Sequence, residues 1–281
     1  MKRISRIVII GCDDELRRQI YDHVKDDIPI EWQKEYKYSG SGAIGLPLEN
    51  ETNSYQYVIK EVEKQGLHPH IDQIVYYTKS ELEQVKYFRM DVMMPLEAEG
   101  TEASDYGTQY EGGCPNPKCR LGKKLVGDVF VDRKFLKNVN KRDIGTLIPD
   151  IYVSERLKNL IHKEKLTGIS FPSKVKDFKG REMPDFYVAE IGHILPPMAG
   201  STWLISDAYH PMYKDCEHQV LYLRSDVQYE KSKLIGAKDF NYSAEHVDNY
   251  RLRVLIVGAK VRNIFRENKI RAWFSPVAIL E

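Results

Sequence analysis

The stretch PDIYVSERLKNLIHKEKLTGISFPSKV, residues 149–175, changes its periodicity twice. Ile151 to Val153 is a short β-branched and aromatic run. Ser154 then stands where a helix N-cap is expected, and Val153, Leu157, Leu160 and Ile161 recur at helical spacing. From Leu166 the pattern turns β-rich again. The spacing therefore predicts a strand, a Ser-capped helix and a strand in close succession.

Working outward on the N-terminal side, VGDVFVDRK (126–134) reads as a strand. On the C-terminal side DFYVAEIGHIL (185–195), HQVLYLRS (218–225), LRVLIVG (252–258) and RAWFSPVAIL (271–280) read as strands, with the helix AKVRNIFREN (259–268) between the last two. Near the N-terminus RIVIIG (6–11) is β-rich and leads into DDELRRQIYDHV (13–24), a helix that Asp13 is placed to cap. IEWQKEYKY (30–38) alternates at period two. SYQYVIKEVEKQG (54–66) has Tyr55, Val58, Ile59 and Val62 on one helical face and ends at Gly66. HIDQIVYYT, KSELEQV and KYFRMDVMM then predict strand, short helix and strand.

Strands outnumber helices and interleave with them irregularly, so the expected class is α+β, with mixed, mostly antiparallel sheets and packed helices. No internal repeat is visible. The length, 281 residues, predicts one large domain or two closely packed subdomains. Their expected bounds are an N-terminal α/β region 1–95, a polar connecting loop 96–112, and a C-terminal α+β domain 113–281.

Charge balances almost completely, with 42 basic against 41 acidic side chains. This disfavours a general attraction to nucleic acid or anionic lipid. The apolar run Ile7–Ile10 is too short for a signal-peptide core, and no stretch approaches the roughly 20 apolar residues of a membrane helix. A cytoplasmic location is expected, where thiols stay reduced.

GSGAIG (40–45) matches the dinucleotide-binding pattern, but LPLENE follows where that mechanism needs a helix to open. A Gly/Ser loop is the better reading. The chemistry-bearing residues are the cysteines. Cys114 and Cys119 lie in YEGGCPNPKCRLGKK (110–124), among Gly, Pro, Asn and Lys, which is poor core company. About 100 residues on, AYHPMYKDCEHQ (208–219) supplies Cys216, with His218 two residues later and His210 six before. Cys114, Cys119, Cys216 and His218 make a soft-sulfur-plus-imidazole set that suits a structural Zn2+, with His210 as the substitute fourth ligand. Buried thiols that merely pack are the competing reading, and Cys12 reads as a small hydrophobe. A nucleophilic Cys216, with His210 or His218 as base and Asp207 or Asp215 as orienter, is the enzymatic alternative, although no local signature surrounds it. A nucleic-acid-binding zinc protein is the third.

Three phrases carry a family likeness: YTKSELEQVKYFRM, PDIYVSERLKNLIHKEKLTGISFPSKV and DFNYSAEHVDNYRLRVLIVGAKVRNIFRENKIRAWFSPV. Their order resembles the bacterial double-CXXCG-motif proteins and related immunity-like proteins of polymorphic toxin systems, over roughly residues 70–281. The resemblance implies a protein that binds and neutralises a cognate toxin, and two cysteine knuckles. Cys114 and Cys119 stand where the first knuckle belongs, and Cys216 to His218 where the second does. The first pair has four intervening residues rather than two, and Arg120 replaces the family's glycine. The second has one cysteine, with Tyr213 and Gln219 where its mate would fall. The loop from Leu96 to Tyr110, carrying Glu97, Glu99, Glu102 and Asp105, reads as solvated, and would complement a basic toxin.

Overall fold

A computed structural model describes residues 2–10, 12–28, 43–49, 52–67, 69–92, 103–116, 119, 121–147, 149–207, 220–248 and 252–281. The fold is α+β, built mostly of antiparallel sheets. The chain divides into two compact units, residues 1–84 with 224–226, and residues 85–223 with 227–281.

The first unit runs β1 (Lys2–Ile10), α1 (Asp14–Val24), β2 (Ala43–Glu49), α2 (Asn53–Lys64), β3 (His70–Tyr76) and α3 (Lys79–Gln84). Its sheet has β1 at the centre, antiparallel to both neighbours, with Ile7 opposite Leu46 on one side and Ile71 on the other. Alternation along β1 and β2 buries Ile7, Ile9, Leu46 and Leu48 against Ile20 and Val24 of α1 and Val58 and Val62 of α2. Asp13 caps α1 as expected, accepting the Leu16 N–H at 2.8 Å, and Thr52 does the same for α2. Ala43 to Gly45, from the dinucleotide-like pattern, lie in β2 rather than at a helix start. The alternating segment 30–38 lies outside the described residues.

The second unit continues with β4 (Tyr87–Asp91), β5 (Gln109–Glu111), β6 (Lys124–Val126), β7 (Val129–Val131), α4 (Arg133–Arg142), β8 (Ile144–Leu147), β9 (Asp150–Ser154), α5 (Glu155–Lys163), β10 (Ile169–Ser170), β11 (Lys174–Asp177) and β12 (Glu182–Ile191). Then come β13 (Leu204–Asp207), β14 (Val220–Leu223), β15 (Gln228–Glu230), β16 (Phe240–Val247), β17 (Leu252–Gly258), α6 (Ala259–Glu267), β18 (Trp273–Pro276) and β19 (Ala278–Leu280). Two sheets dominate, β7-β11-β12-β9-β8 with β10 on β12, and β16-β17-β4-β18. Tyr87–Asp91, grouped with the N-terminal region on sequence, pairs with β17 and β18, because Phe88 and Met90 are buried there.

The two sheets contain the same arrangement twice, an internal repeat the sequence does not display. A hairpin (β8-β9, β16-β17) leads into a nine-residue helix, and the next strand (β10, β18) pairs with an antiparallel central strand (β12, β4). The helices start at 155 and 259, 104 residues apart. Each hairpin is closed by an aspartate carbonyl accepting from the residue before the helix, Asp143 from Ser154 and Asp239 from Gly258, both at 2.9 Å. Each helix ends in a left-handed lysine, Lys165 (φ 52°) or Lys269 (φ 58°). Each lays a cation over an aromatic ring of the central strand, Lys158 over Tyr187 and Arg262 over Phe88. Both rings meet a phenylalanine edge-on at 6.3 Å, Phe171 and Phe274 respectively.

The halves also meet reciprocally. Arg156 donates from α5 to the carbonyl of Asn268 at the end of α6, at 3.2 Å, while Lys260 donates from α6 to the carbonyl of Glu164 at the end of α5, at 2.7 Å. Each second helical residue thus caps the other helix's C-terminus, so the two helices run antiparallel. This i-to-j and j-to-i pattern is the one expected of an isologous dimer interface, here within one chain. Between the layers Ile144, Ile151 and Ile161 face their equivalents Phe240, Leu255 and Phe265 around one apolar interior space.

The β11–β12 turn is held by Asp177, whose buried carboxylate accepts from Arg133 Nε (2.9 Å), Arg181 Nε (2.9 Å) and the N–H groups of Lys179 and Arg181. Burial alone would raise its pKa, but the Arg181 backbone and guanidinium bonds and the Lys179 N–H hold it at about 2. A depressed carboxylate stabilises the fold above its unfolded pKa of about 3.9, and that contribution is lost as pH falls through the folded value. The melting temperature should therefore drop between about pH 4 and pH 2, and Asp177→Asn should flatten this limb while lowering the neutral-pH plateau. An unchanged acid limb in the variant would mean that Asp177 is not the group responsible.

Candidate metal centre

Cys114 and Cys119 occupy the tip of the β5–β6 hairpin. Strand pairing ends at Glu111 opposite Lys124, and the chain then turns through Gly112 (φ 72°) and Gly113 (φ 67°) into Cys114. Gly113 is required twice over: its φ is left-handed, and a Cβ there would lie 2.3 Å from the Leu121 carbonyl oxygen. That close approach lets the Cys114 N–H donate to Leu121 O at 3.0 Å, closing the tip. Inside it the Cys119 N–H donates to Asn116 O at 3.1 Å, and Lys123 Nζ caps the same carbonyl. Gly112 and Gly113, poor core residues, here shape a tight turn, and both cysteine side chains are buried, at 7 % and 0 % exposure.

What buries them is β14. Cys114, Cys119 and Val220 form one cluster, flanked by Leu121 and Tyr222. Val220 opens β14 and stands opposite Asp207, the last residue of β13. The connection between those strands is residues 208–219, which carries His210, Asp215, Cys216 and His218 and lies outside the described residues. The fold thus brings the tip of the β5–β6 hairpin onto the first residue of the strand that follows, in sequence, the other candidate ligands. Of the four predicted ligands, Cys114 and Cys119 come together, and Val220 follows His218 by two residues in sequence. Among the described residues no group of three or more His, Cys, Asp or Glu side chains is assembled. Cys12, read as a small hydrophobe, is buried in the first unit's core, and burial raises its thiol pKa.

The root of the hairpin is fixed as firmly as its tip. Tyr106, Tyr110 and Leu125 pack against the core formed by Val129, Phe135, Tyr152 and Val188. Thr108 Oγ1 donates to Phe130 O and accepts the Phe130 N–H at 2.9 Å. Tyr110 donates its hydroxyl to Asp150 in the β8–β9 turn, and burial followed by that carboxylate pushes its pKa far above the ordinary phenol value. Sequence reading missed these anchors. Their only trace was the alternation of Thr108 and Tyr110, too short to register as a strand.

Two thiols on a glycine-shaped turn, packed on a strand that leads from a Cys/His segment, fit the donor chemistry and turn geometry of a structural zinc. Of the enzymatic alternative, only Asp207 falls among the described residues. No helix there is long and apolar enough to cross a membrane. Compared with the models of known protein families and with curated proteins, the chain matches none.

Proposed function

We propose that the chain is an immunity-type protein that binds and neutralises a cognate toxin, and that its second unit carries a structural zinc held by Cys114, Cys119, Cys216 and His218. The single observation that carries the zinc is the buried Cys114–Cys119 pair on Val220. The binding role rests on the three family-like phrases and on the absence of a catalytic signature in the sequence. In this reading the metal joins two segments that are about 100 residues apart in sequence, so its binding free energy is folding free energy. It stabilises the surface that meets the toxin and has no chemical role.

Elemental mass spectrometry of the purified chain should find about one zinc per molecule, and Cys114→Ser and Cys216→Ser should each lose it. Chelation should lower the melting temperature of the wild type and leave both variants unmoved. A metal-free wild type would sink the zinc. The binding role is tested separately, by co-expression with a toxin encoded in the adjacent reading frame. Growth is expected to be rescued by this chain and not by an empty vector.

A further inference from the structure

Lys123 is placed unlike its neighbour Lys124. The neck of the cysteine turn is pinched where Gly113 and Gly122 meet back to back, a Cβ on Gly122 lying 3.1 Å from the Gly113 Cα. Past that neck the chain enters β6 at Lys124, which is exposed and stands opposite Glu111. Lys123 is half-buried, and its ammonium reaches back seven residues into the turn to donate to Asn116 O at 3.1 Å. The same carbonyl accepts the Cys119 N–H, also at 3.1 Å. One oxygen thus ties the returning limb of the hairpin to the bond that fixes Cys119. Lysine is among the side chains that lose most rotamer freedom on ordering, and its charged end is ordinarily kept in water. Closure of the turn does not account for this arrangement, because the Cys114 N–H already closes the tip on Leu121 O at 3.0 Å.

We propose that Lys123 is a positioning residue for the metal centre: it braces the Asn116 carbonyl, which holds the Cys119 limb of the turn, and it places positive charge beside the thiolates. The inference rests on the zinc reading above and adds how that site is held and balanced. Zinc takes cysteine as the thiolate and histidine as the neutral imidazole, so a centre of three cysteines and one histidine carries one net negative charge. Cys114 and Cys119 are both buried, and a buried charge is costly unless a group of opposite sign lies close. An ammonium bonded within the turn is such a group. Residues that orient metal ligands without touching the metal commonly contribute about 10–100-fold to affinity. Arginine keeps the charge and can donate to the same carbonyl, whereas methionine keeps only the flexible apolar stem.

The test uses the full chain, Zn2+ as the probe and a chromophoric chelator as competitor. Lys123→Met should weaken zinc binding at least about tenfold, and Lys123→Arg should recover most of the loss. Lys124→Met, which removes the same charge from the exposed neighbour, should leave the affinity unchanged. Melting the metal-free proteins separates a role in the fold alone. Lys123→Met is expected to match the wild type under chelation and to fall below it only when zinc is present. Wild-type affinity in Lys123→Met would overturn the proposal. So would an equal loss in Lys124→Met, which makes the effect one of net charge, or an equal drop in melting temperature with and without zinc, which makes Lys123 a brace of the turn alone. A wild type that binds no zinc sinks the metal reading and this proposal together. A zinc-loaded wild type beside an indifferent Lys123→Met sinks this proposal only, so the two failures are distinguishable.

Discussion

Gly168→Ala is expected to unfold the second unit under conditions where the wild type is stable. Gly168 has φ 86°, and a Cβ there would sit 2.1 Å from the carbonyl oxygen of Phe240 and 2.8 Å from the Lys238 Cβ. The atom in the way is backbone, in the first residue of β16, so neither side can yield cheaply. The local bonds depend on the approach: the Phe240 N–H donates to Thr167 O at 3.0 Å, and the Gly192 N–H to Gly168 O. A left-handed alanine alone costs about 1–2 kcal/mol. With the steric displacement and the lost bonds, about 4 kcal/mol or more is expected, which is exceptional for one methyl group. Gly180→Ala is the matched control, since Gly180 has φ 77° but nothing within 4 Å of the added atom. Urea denaturation should show a small shift for Gly180→Ala and a large one for Gly168→Ala. Equal shifts would mean that the two segments do not approach as described.

Phe265→Ala should be the most damaging core truncation, costing about 3–5 kcal/mol. Phe265 is fully buried on α6, edge-on to Phe274 and tilted against Phe240, at the interior space where the repeated halves face each other. Its equivalent on α5 is Ile161, 1 % exposed and lining the same space, where truncation to alanine should cost about 2–5 kcal/mol. Because the two side chains share one space, the double variant is expected to depart from additivity by about 0.5 kcal/mol or more. Strict additivity in chemical denaturation would indicate two separate cores instead of one shared between the halves.

Local structure was legible where side-chain period and cap agreed. Ser154 caps α5 by accepting the Leu157 N–H, and Asp13 caps α1, as both were read. Helix α4 was not read. Its sequence, RKFLKNVNKR, is rich in lysine and asparagine, and only Phe135, Leu136 and Val139 mark its buried face. The repeat escaped because it is conserved in position more than in identity. Of the aligned residues, Asp143 with Asp239, Val153 with Val257, Asn159 with Asn263 and Lys165 with Lys269 are identical, while the cation over a ring changes from Lys158 and Tyr187 to Arg262 and Phe88. The central strand also precedes its hairpin in one half and follows it in the other, so a linear comparison cannot align it. The cysteine pair was visible as a motif. Its neighbour Val220 was not, because that contact is made by tertiary folding.

The position of β4 has a bearing on how the protein is made. Its Gly258 and Trp273 partners, facing Tyr87 and Asp91, are encoded near the other end of the chain. At a synthesis rate of about 5–20 residues per second, β4 leaves the ribosome roughly 10–35 seconds before β18 exists. For most of that interval, until β17 is made, Phe88 and Met90 have no sheet to enter, while residues 1–84 of the first unit are already made. The nascent second unit is thus a natural client for chaperones, and a message truncated before the last forty or so codons would yield a folded head on an insoluble tail.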